Sequence, residues 1–228
     1  VARYGSRRAA GAAPGPHELS SPARMSQLLI ATQNPGKVRE YQELLPADRI
    51  PGWEIIGLND IGLNTLDVDE TGTTFEENAI LKARTYAQAS GLLTLSDDSG
   101  LAVDALDGAP GIYSARYGGP GLDDAGRRAH LLRALTDVPD AQRTARFICV
   151  IALFDPHDEQ VYTSYGKVEG RLLHEERGSD GFGYDPLFVP EGYSRTFAEL
   201  TAEVKHANSH RGVAAQQVPA ILTHLSRT

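Results

Sequence analysis

The chain has little of what would commit it to several common classes. It contains one cysteine in 228 residues, so no intrachain disulfide can form. Cys/His clusters at metal-ligand spacing are missing as well. Cys149 falls inside the apolar run RTARFICVIALF, where it is expected to act as a small buried hydrophobe. No apolar run approaches the roughly 18 residues of a membrane span, and the start of the chain has no secretory h-region. These absences lead to the expectation of a soluble, cytoplasmic protein with no membrane partner. Basic residues are outnumbered, 22 Lys and Arg against 30 Asp and Glu, for a formal net charge of −8. That balance argues against a general nucleic-acid partner but leaves room for a local basic patch.

Hydrophobic residues make up 41% of the chain, enough for a sizeable core. The length suits one domain, with room for two small lobes. Residues 1–24 are rich in Ala, Gly, Pro, Ser and Arg and show no apolar period, so a disordered extension is expected there. Met25 is the sole methionine and directly precedes the first strand-like segment. The expected reading is an alternative start codon upstream of the true one, with a transit peptide as the competing reading. The folded domain is expected over residues 25–228.

The stretch LLTLSDDSG at residues 92–100 is the centre around which the rest is organised. A buried strand ending in Asp97 and Asp98 sets two carboxylates at the edge of a core. Like charges that close resist ionising together without a cation or donors beside them. A hard divalent cation with oxygen ligands, able to bridge to substrate phosphates, is one answer. Ordinary Asp-Asp-Ser-Gly turn chemistry is the other.

Residues 27–32 (QLLIAT) read as a strand. They lead into Gln33-Asn34-Pro35-Gly36-Lys37 and then a helix to Leu45. A strand, a Gly turn and a helix can hold an anion through free N–H groups and the helix dipole, with Lys37 adding a full charge. The segment is not a Walker A loop, because Val38 follows Lys37. A plain βα turn fits it equally well. Thr74 and Glu77 have capping-box spacing, starting a helix that Gly91 ends. Asn78 and Lys82 share a face of that helix. A loop with aromatics follows at residues 107–117, then an amphipathic helix at 125–135. Residues 143–154 carry a strong β signal, with 160–168 as an antiparallel neighbour. The glycines of residues 178–188 allow close backbone approach to a flat ligand between Phe182 and Tyr184, with Asp185 as acceptor; a Gly-rich hairpin with core aromatics is the alternative. Lys205, His210 and Arg211 form a basic cluster suited to an anion. A final helix over 213–225 is expected to bend or break at Pro219.

In this order the segments TQNPGK (32–37), FEENA with Lys82, SDDSG (96–100), GAPG with SARY, GFGYDP (181–186) and SHR (209–211) resemble the inosine triphosphate pyrophosphatase family. These are the non-canonical purine nucleoside triphosphate pyrophosphatases, or XTP/dITP diphosphatases. The match runs from Leu28 to the C-terminus. It implies an α/β fold: an elongated mixed sheet flanked by helices, in two lobes around a central substrate cleft. It also implies Mg2+, a homodimer, and hydrolysis of ITP, dITP or XTP to monophosphate and pyrophosphate. By motif, Thr32, Gln33, Asn34, Pro35, Gly36 and Lys37 correspond to the phosphate loop, and Lys82 joins them. Asp98 corresponds to the proton acceptor and metal-linked carboxylate, with Glu70 as its metal partner, while Ser99 contacts substrate. Phe182, Gly183, Tyr184, Asp185, Lys205, His210 and Arg211 correspond to the base-recognition set. The chain departs from the family at Val204 and His206, where Glu and Asn are common. Two rival readings remain: a Maf-like pyrophosphatase of other specificity, and a non-catalytic nucleotide sensor.

Overall fold

The computed structural model describes residues 25–226; the extension expected over residues 1–24 lies outside them. In chain order the strands are β1 (Ser26–Ile30), β2 (Trp53–Gly57), β3 (Leu93–Val103), β4 (Thr144–Phe154), β5 (Val161–Leu172) and β6 (Phe188–Pro190). They form one six-stranded sheet in the order β2-β1-β3-β4-β5-β6. β1 runs parallel to β2 and β3, and the pairings from β3 to β6 are antiparallel. The helices are α1 (Pro35–Leu44), α2 (Phe75–Ser90), α3 (Asp124–Ala134), α4 (Ala202–Asn208), α5 (His210–Ala215) and α6 (Val218–Leu225).

Alternation along β4 explains the layers, since successive side chains in a strand point to opposite faces. Cys149, Ile151 and Leu153 pack with Tyr41 and Leu44 of α1 and with Val218 and Leu222 of α6. Val150, Ala152 and Phe154 face the other way, onto Ala79, Ala83 and Ala87 of α2. Alanines four apart form one stripe of a helix, and their small size lets α2 lie close to the sheet. At the far end of the long strands a separate cluster joins Leu101, Val103, Phe147 and Leu172 to Leu131 and Phe197. The strands β3, β4 and β5 thus bridge two cores, which are the two expected lobes.

Local chemistry fixes the helix starts. Asn34 caps α1, its side chain accepting from Gly36 N at 2.8 Å and Lys37 N at 3.3 Å. Thr74 caps α2 by accepting from Glu77 N. Glu77 reaches back one residue further than a capping box requires, to the N–H and hydroxyl of Thr73. Gly91 ends α2 with φ 71°.

Two expectations are corrected. The Asp-Asp stretch is neither a turn nor a strand end. β3 continues through it, with Asp97 opposite Ile151 and Asp98 opposite Val150. The long ladder with β4 satisfies the backbone there, which a tight turn would interrupt. The C-terminal helix divides at Gln216 and Gln217, ahead of Pro219. Pro219 lies in the first turn of α6, where its missing N–H costs nothing.

Candidate active site

β1 pairs with β3 only as far as Ile30 opposite Leu95. Past that point the edge of β3 looks into a cleft of about 700 Å³. A crevice beyond the carboxyl end of a parallel strand, with helices on both faces, is the usual ligand position in such sheets. Because β3 alternates, Asp97 and Ser99 point toward α5, and Asp98 points toward α2.

Asp97 is 2% exposed. Lys37 Nζ lies 3.0 Å and Arg211 Nη2 3.1 Å from its Oδ2. Burial works against its ionisation, but Lys37 and Arg211 outweigh burial and hold the carboxyl well below the usual range. Asp98 accepts from Asn78 Nδ2 at 3.2 Å and from Lys82 Nζ at 3.4 Å. Here burial prevails over Lys82 and Lys37, and the Asp98 pKa is raised. Lys82 also contacts Glu70 at 2.5 Å, and Glu70 takes a second bond from Arg116 at 3.0 Å. Burial opposes the charge on Lys82, yet Asp98, Asp97 and Glu70 together raise its pKa.

The other end of the cleft is a second ionic network. Glu40 accepts from Lys205 at 2.7 Å and Arg211 at 2.5 Å. Lys205 continues to Asp185 at 2.8 Å, and Asp185 accepts from the Phe182 N–H at 2.9 Å. Arg211 Nη2 donates to Ser99 Oγ at 2.8 Å. The Phe182 ring lies beneath two cations, Lys205 at 5.2 Å and Arg211 at 5.7 Å. His210 is stacked on Phe147 at 4.6 Å. Burial, with Arg211 adding to it, holds His210 well below its usual pKa, so the ring is neutral. Its Nδ1 is buried with no hydrogen-bond partner among the described residues.

Most residues singled out in the sequence converge here. Thr32, Gln33, Asn34, Lys37, Glu70, Lys82, Asp98 and Ser99 line the cleft, as do Phe182, Gly183, Tyr184, Asp185, Lys205, His210 and Arg211. Pro35 and Gly36 are not on its wall. Gly36 lies behind Phe182, whose Cδ1 is 2.7 Å from where a Cβ would sit. The free N–H groups expected at the start of α1 are taken up by the Asn34 side chain. Tyr184 was expected to stack on a ligand. It is 4% exposed, its hydroxyl donates to Ser114 O, and its ring packs in the far core.

Glu40 was missed by sequence reasoning, although a signal existed. Lys37, Glu40, Tyr41 and Leu44 repeat at i, i+3, i+4 and i+7, so Glu40 falls on the buried stripe of α1. Arg128 and Asp124 of α3 were also missed. Arg128 donates to Gly183 O at 2.8 Å and Asp124 accepts from Gly183 N at 2.9 Å, clamping the loop that carries Phe182.

Among the described residues, no group of three or more His, Cys, Asp or Glu side chains gathers as a metal cage. The carboxylates of Asp98 and Glu70 nonetheless converge on one cation, Lys82 Nζ. An oxygen-only pair of this kind fits Mg2+, which takes one or two carboxylates and completes its shell with water and phosphate.

The chain is similar to known proteins over most of its length. A family model described as the Ham1 family matches residues 28–221. A dITP/XTP pyrophosphatase of Desulforamulus reducens is 47% identical over 199 residues, covering 87% of this chain and 96% of the relative. That of Bacillus subtilis is 44% identical over 198 residues, covering 87% and 98%. Among solved structures, a HAM1 protein from Coxiella burnetii superposes with a TM-score of 0.78 at 43% identity, covering 88% of this chain and 100% of the other.

Proposed function

This chain belongs to the Ham1 family, and from that premise we propose that it hydrolyses non-canonical purine nucleoside triphosphates, namely ITP, dITP and XTP. The products are the monophosphate and pyrophosphate. The observation that carries the reading is the division of one cleft into two ends. Lys37 and Lys82 flank Asp98 at one end, and Phe182 lies under Lys205 and Arg211 at the other. Triphosphate fits the first end and a purine ring the second.

Phosphoryl transfer depends on positioning and charge neutralisation more than on covalent chemistry. Lys37 and Lys82 spread the triphosphate charge. Asp98 accepts a proton from water as the water oxygen bonds to the α-phosphorus, and the bond to the bridging oxygen breaks to release pyrophosphate. A carboxylate with a raised pKa is the better base for this task. Asp97, held ionised, keeps Lys37 and Arg211 in place. Asp98 and Glu70 would hold Mg2+, which supplies further charge neutralisation on the phosphates when bound.

At the base end Phe182 provides the stacking face. Arg211 has five N–H donors, of which Glu40, Asp97 and Ser99 engage four. The remaining Nη1 donor, together with Lys205, suits a 6-oxo group; a 6-amino purine leaves such donors unpaired. Asp185 and His210 complete the base-recognition set. We further place the enzyme in the cytoplasm, where the nucleotide pool lies, as a homodimer. Among the described residues no helix is long and apolar enough to cross a membrane. Sedimentation would test the dimer.

Pyrophosphate release from ITP, XTP, dITP, ATP and dTTP, with and without Mg2+, tests the whole reading. The expected result is Mg2+-dependent release from the first three, with ATP and dTTP poor. Fast turnover of dTTP would favour a Maf-like enzyme, and binding without release would favour a sensor.

A further inference from the structure

Arg116 lines the cleft with its side chain partly exposed and has no part in the roles assigned above. It ends the 3-10 turn Gly111–Arg116, which is anchored to β3. Ser114 Oγ accepts from Leu101 N at 2.9 Å and donates to Gly111 O at 2.7 Å. Ser114 O in turn accepts from the buried Tyr184 hydroxyl at 2.9 Å. From this mount Arg116 lines the cleft and reaches Glu70 Oε2 at 3.0 Å. The Tyr113 ring supports one face of the guanidinium, 5.0 Å from Cζ to ring centre.

Five cations, Lys37, Lys82, Arg116, Lys205 and Arg211, meet five carboxylates, Asp97, Asp98, Glu70, Glu40 and Asp185, along the cleft. The set is balanced before any phosphate enters, so an incoming polyphosphate must draw cations away from their present partners. Lys37 is bound to fully buried Asp97, and Lys82 is shared between two carboxylates. The lysine side chains are 14% exposed, while that of Arg116 is 44% exposed. Among the described residues only Nη1 of Arg116 has a hydrogen-bond partner; Nε and Nη2 are open. A planar guanidinium with a free fork matches two oxygens of a phosphate, which an ammonium cannot do.

We propose that Arg116 binds the β- and γ-phosphates, the part that leaves as pyrophosphate, by exchanging Glu70 for phosphate oxygens as substrate enters. This assignment rests on the reaction proposed above. Arg116 and Lys82 hold the two oxygens of the same Glu70 carboxylate, so a phosphate that takes the place of Glu70 meets both cations.

Calorimetric titration of inorganic pyrophosphate and of IMP, at one fixed Mg2+ concentration, tests the assignment without turnover. Wild type is compared with Arg116→Ala and Arg116→Lys, and melting temperatures check that each variant is folded. Loss of charged hydrogen bonds should weaken pyrophosphate roughly tenfold or more in Arg116→Ala, with IMP changed by less than about twofold. Arg116→Lys should recover part of the loss, since the charge returns without the fork. Unchanged pyrophosphate affinity in Arg116→Ala, or equal losses for pyrophosphate and IMP, would overturn the assignment. A wild-type protein that binds pyrophosphate through Arg116 but turns over no nucleoside triphosphate would overturn the reaction and leave this contact standing.

Discussion

Replacing Glu40 by Gln tests the ionic network at the base end. Glu40 is 7% exposed and lies between Lys205 and Arg211. Burial works against its ionisation, but Arg211 and Lys205 outweigh burial and lower its pKa from 4.5 to about 2. A displacement of that size corresponds to about 3 kcal/mol of stability. The sign follows from the direction. A depressed carboxylate contributes in full above its unfolded pKa, and the contribution is lost as pH falls through the folded value. Wild type should therefore be about 3 kcal/mol more stable than Glu40→Gln at pH 7. For a chain of this length the melting point should drop by roughly 6–12 °C. The gap should shrink below pH 4.5 and be mostly gone near pH 2, because Gln does not titrate while Glu40 becomes neutral. Urea unfolding of both proteins at pH 7, 4 and 3 measures the gap directly. A variant as stable as wild type at pH 7, or a gap that does not close with acid, would show that Glu40 is not held ionised by Lys205 and Arg211.

Other outcomes follow from single contacts. Asp98→Asn should abolish pyrophosphate release while the fold survives, as the change is nearly isosteric; turnover near the wild-type rate would exclude Asp98 as the base. Because burial raises the Asp98 pKa in the metal-free protein, Asp98 should titrate above the usual carboxylate range without Mg2+ and move down when Mg2+ is added, since a bound cation favours the ionised form. An NMR pH titration with and without Mg2+ checks this. Gly36→Ala sets a Cβ 2.7 Å from Phe182 Cδ1, so the ring must move. KM for ITP should rise several-fold with little loss of melting temperature. Arg128→Gln removes the donor to Gly183 O and should also raise KM, leaving pyrophosphate inhibition unchanged, as steady-state kinetics would report.

The strands, the caps and most of the cleft were legible because each rests on short-range chemistry. Thr74 and Gly91 announce helix ends within four residues of themselves, and the apolar run of β4 announces a strand. The Asp-Asp stretch misled because turn composition and a buried charged strand look alike until the partner strand is known. Charge pairing was less legible still. Lys205 and Arg211 read as a free basic cluster, yet their partners Glu40 and Asp97 are more than a hundred positions away in the chain. No local pattern shows which carboxylates neutralise which cations. The same limit changes the meaning of a mutation. Arg211→Ala looks from sequence like the loss of one base contact, but in the fold it takes one of two cations from each of two buried carboxylates, Glu40 and Asp97, so its first effect is on stability.

The adjacent carboxylates of β3 show how one strand supplies two chemistries. Asp97 and Asp98 are neighbours in sequence, so pleating alone sends them to opposite faces. On one face Asp97 meets Lys37 and Arg211, both at Oδ2, and is held as a permanent anion. On the other face Asp98 meets a neutral Asn78 at 3.2 Å and a lysine at 3.4 Å that Glu70 holds more closely, at 2.5 Å. Its charge is under-compensated, and burial raises its pKa. Two titratable groups whose surroundings push their pKa values apart mark an assignment of roles. The paired one fixes cations, and the under-paired one can take a proton. A shift of strand register by one residue would exchange the two faces, and neither carboxylate would then meet its partners. The ladder with β4 that holds Asp97 opposite Ile151 therefore fixes this division of charge as firmly as the carboxylates themselves.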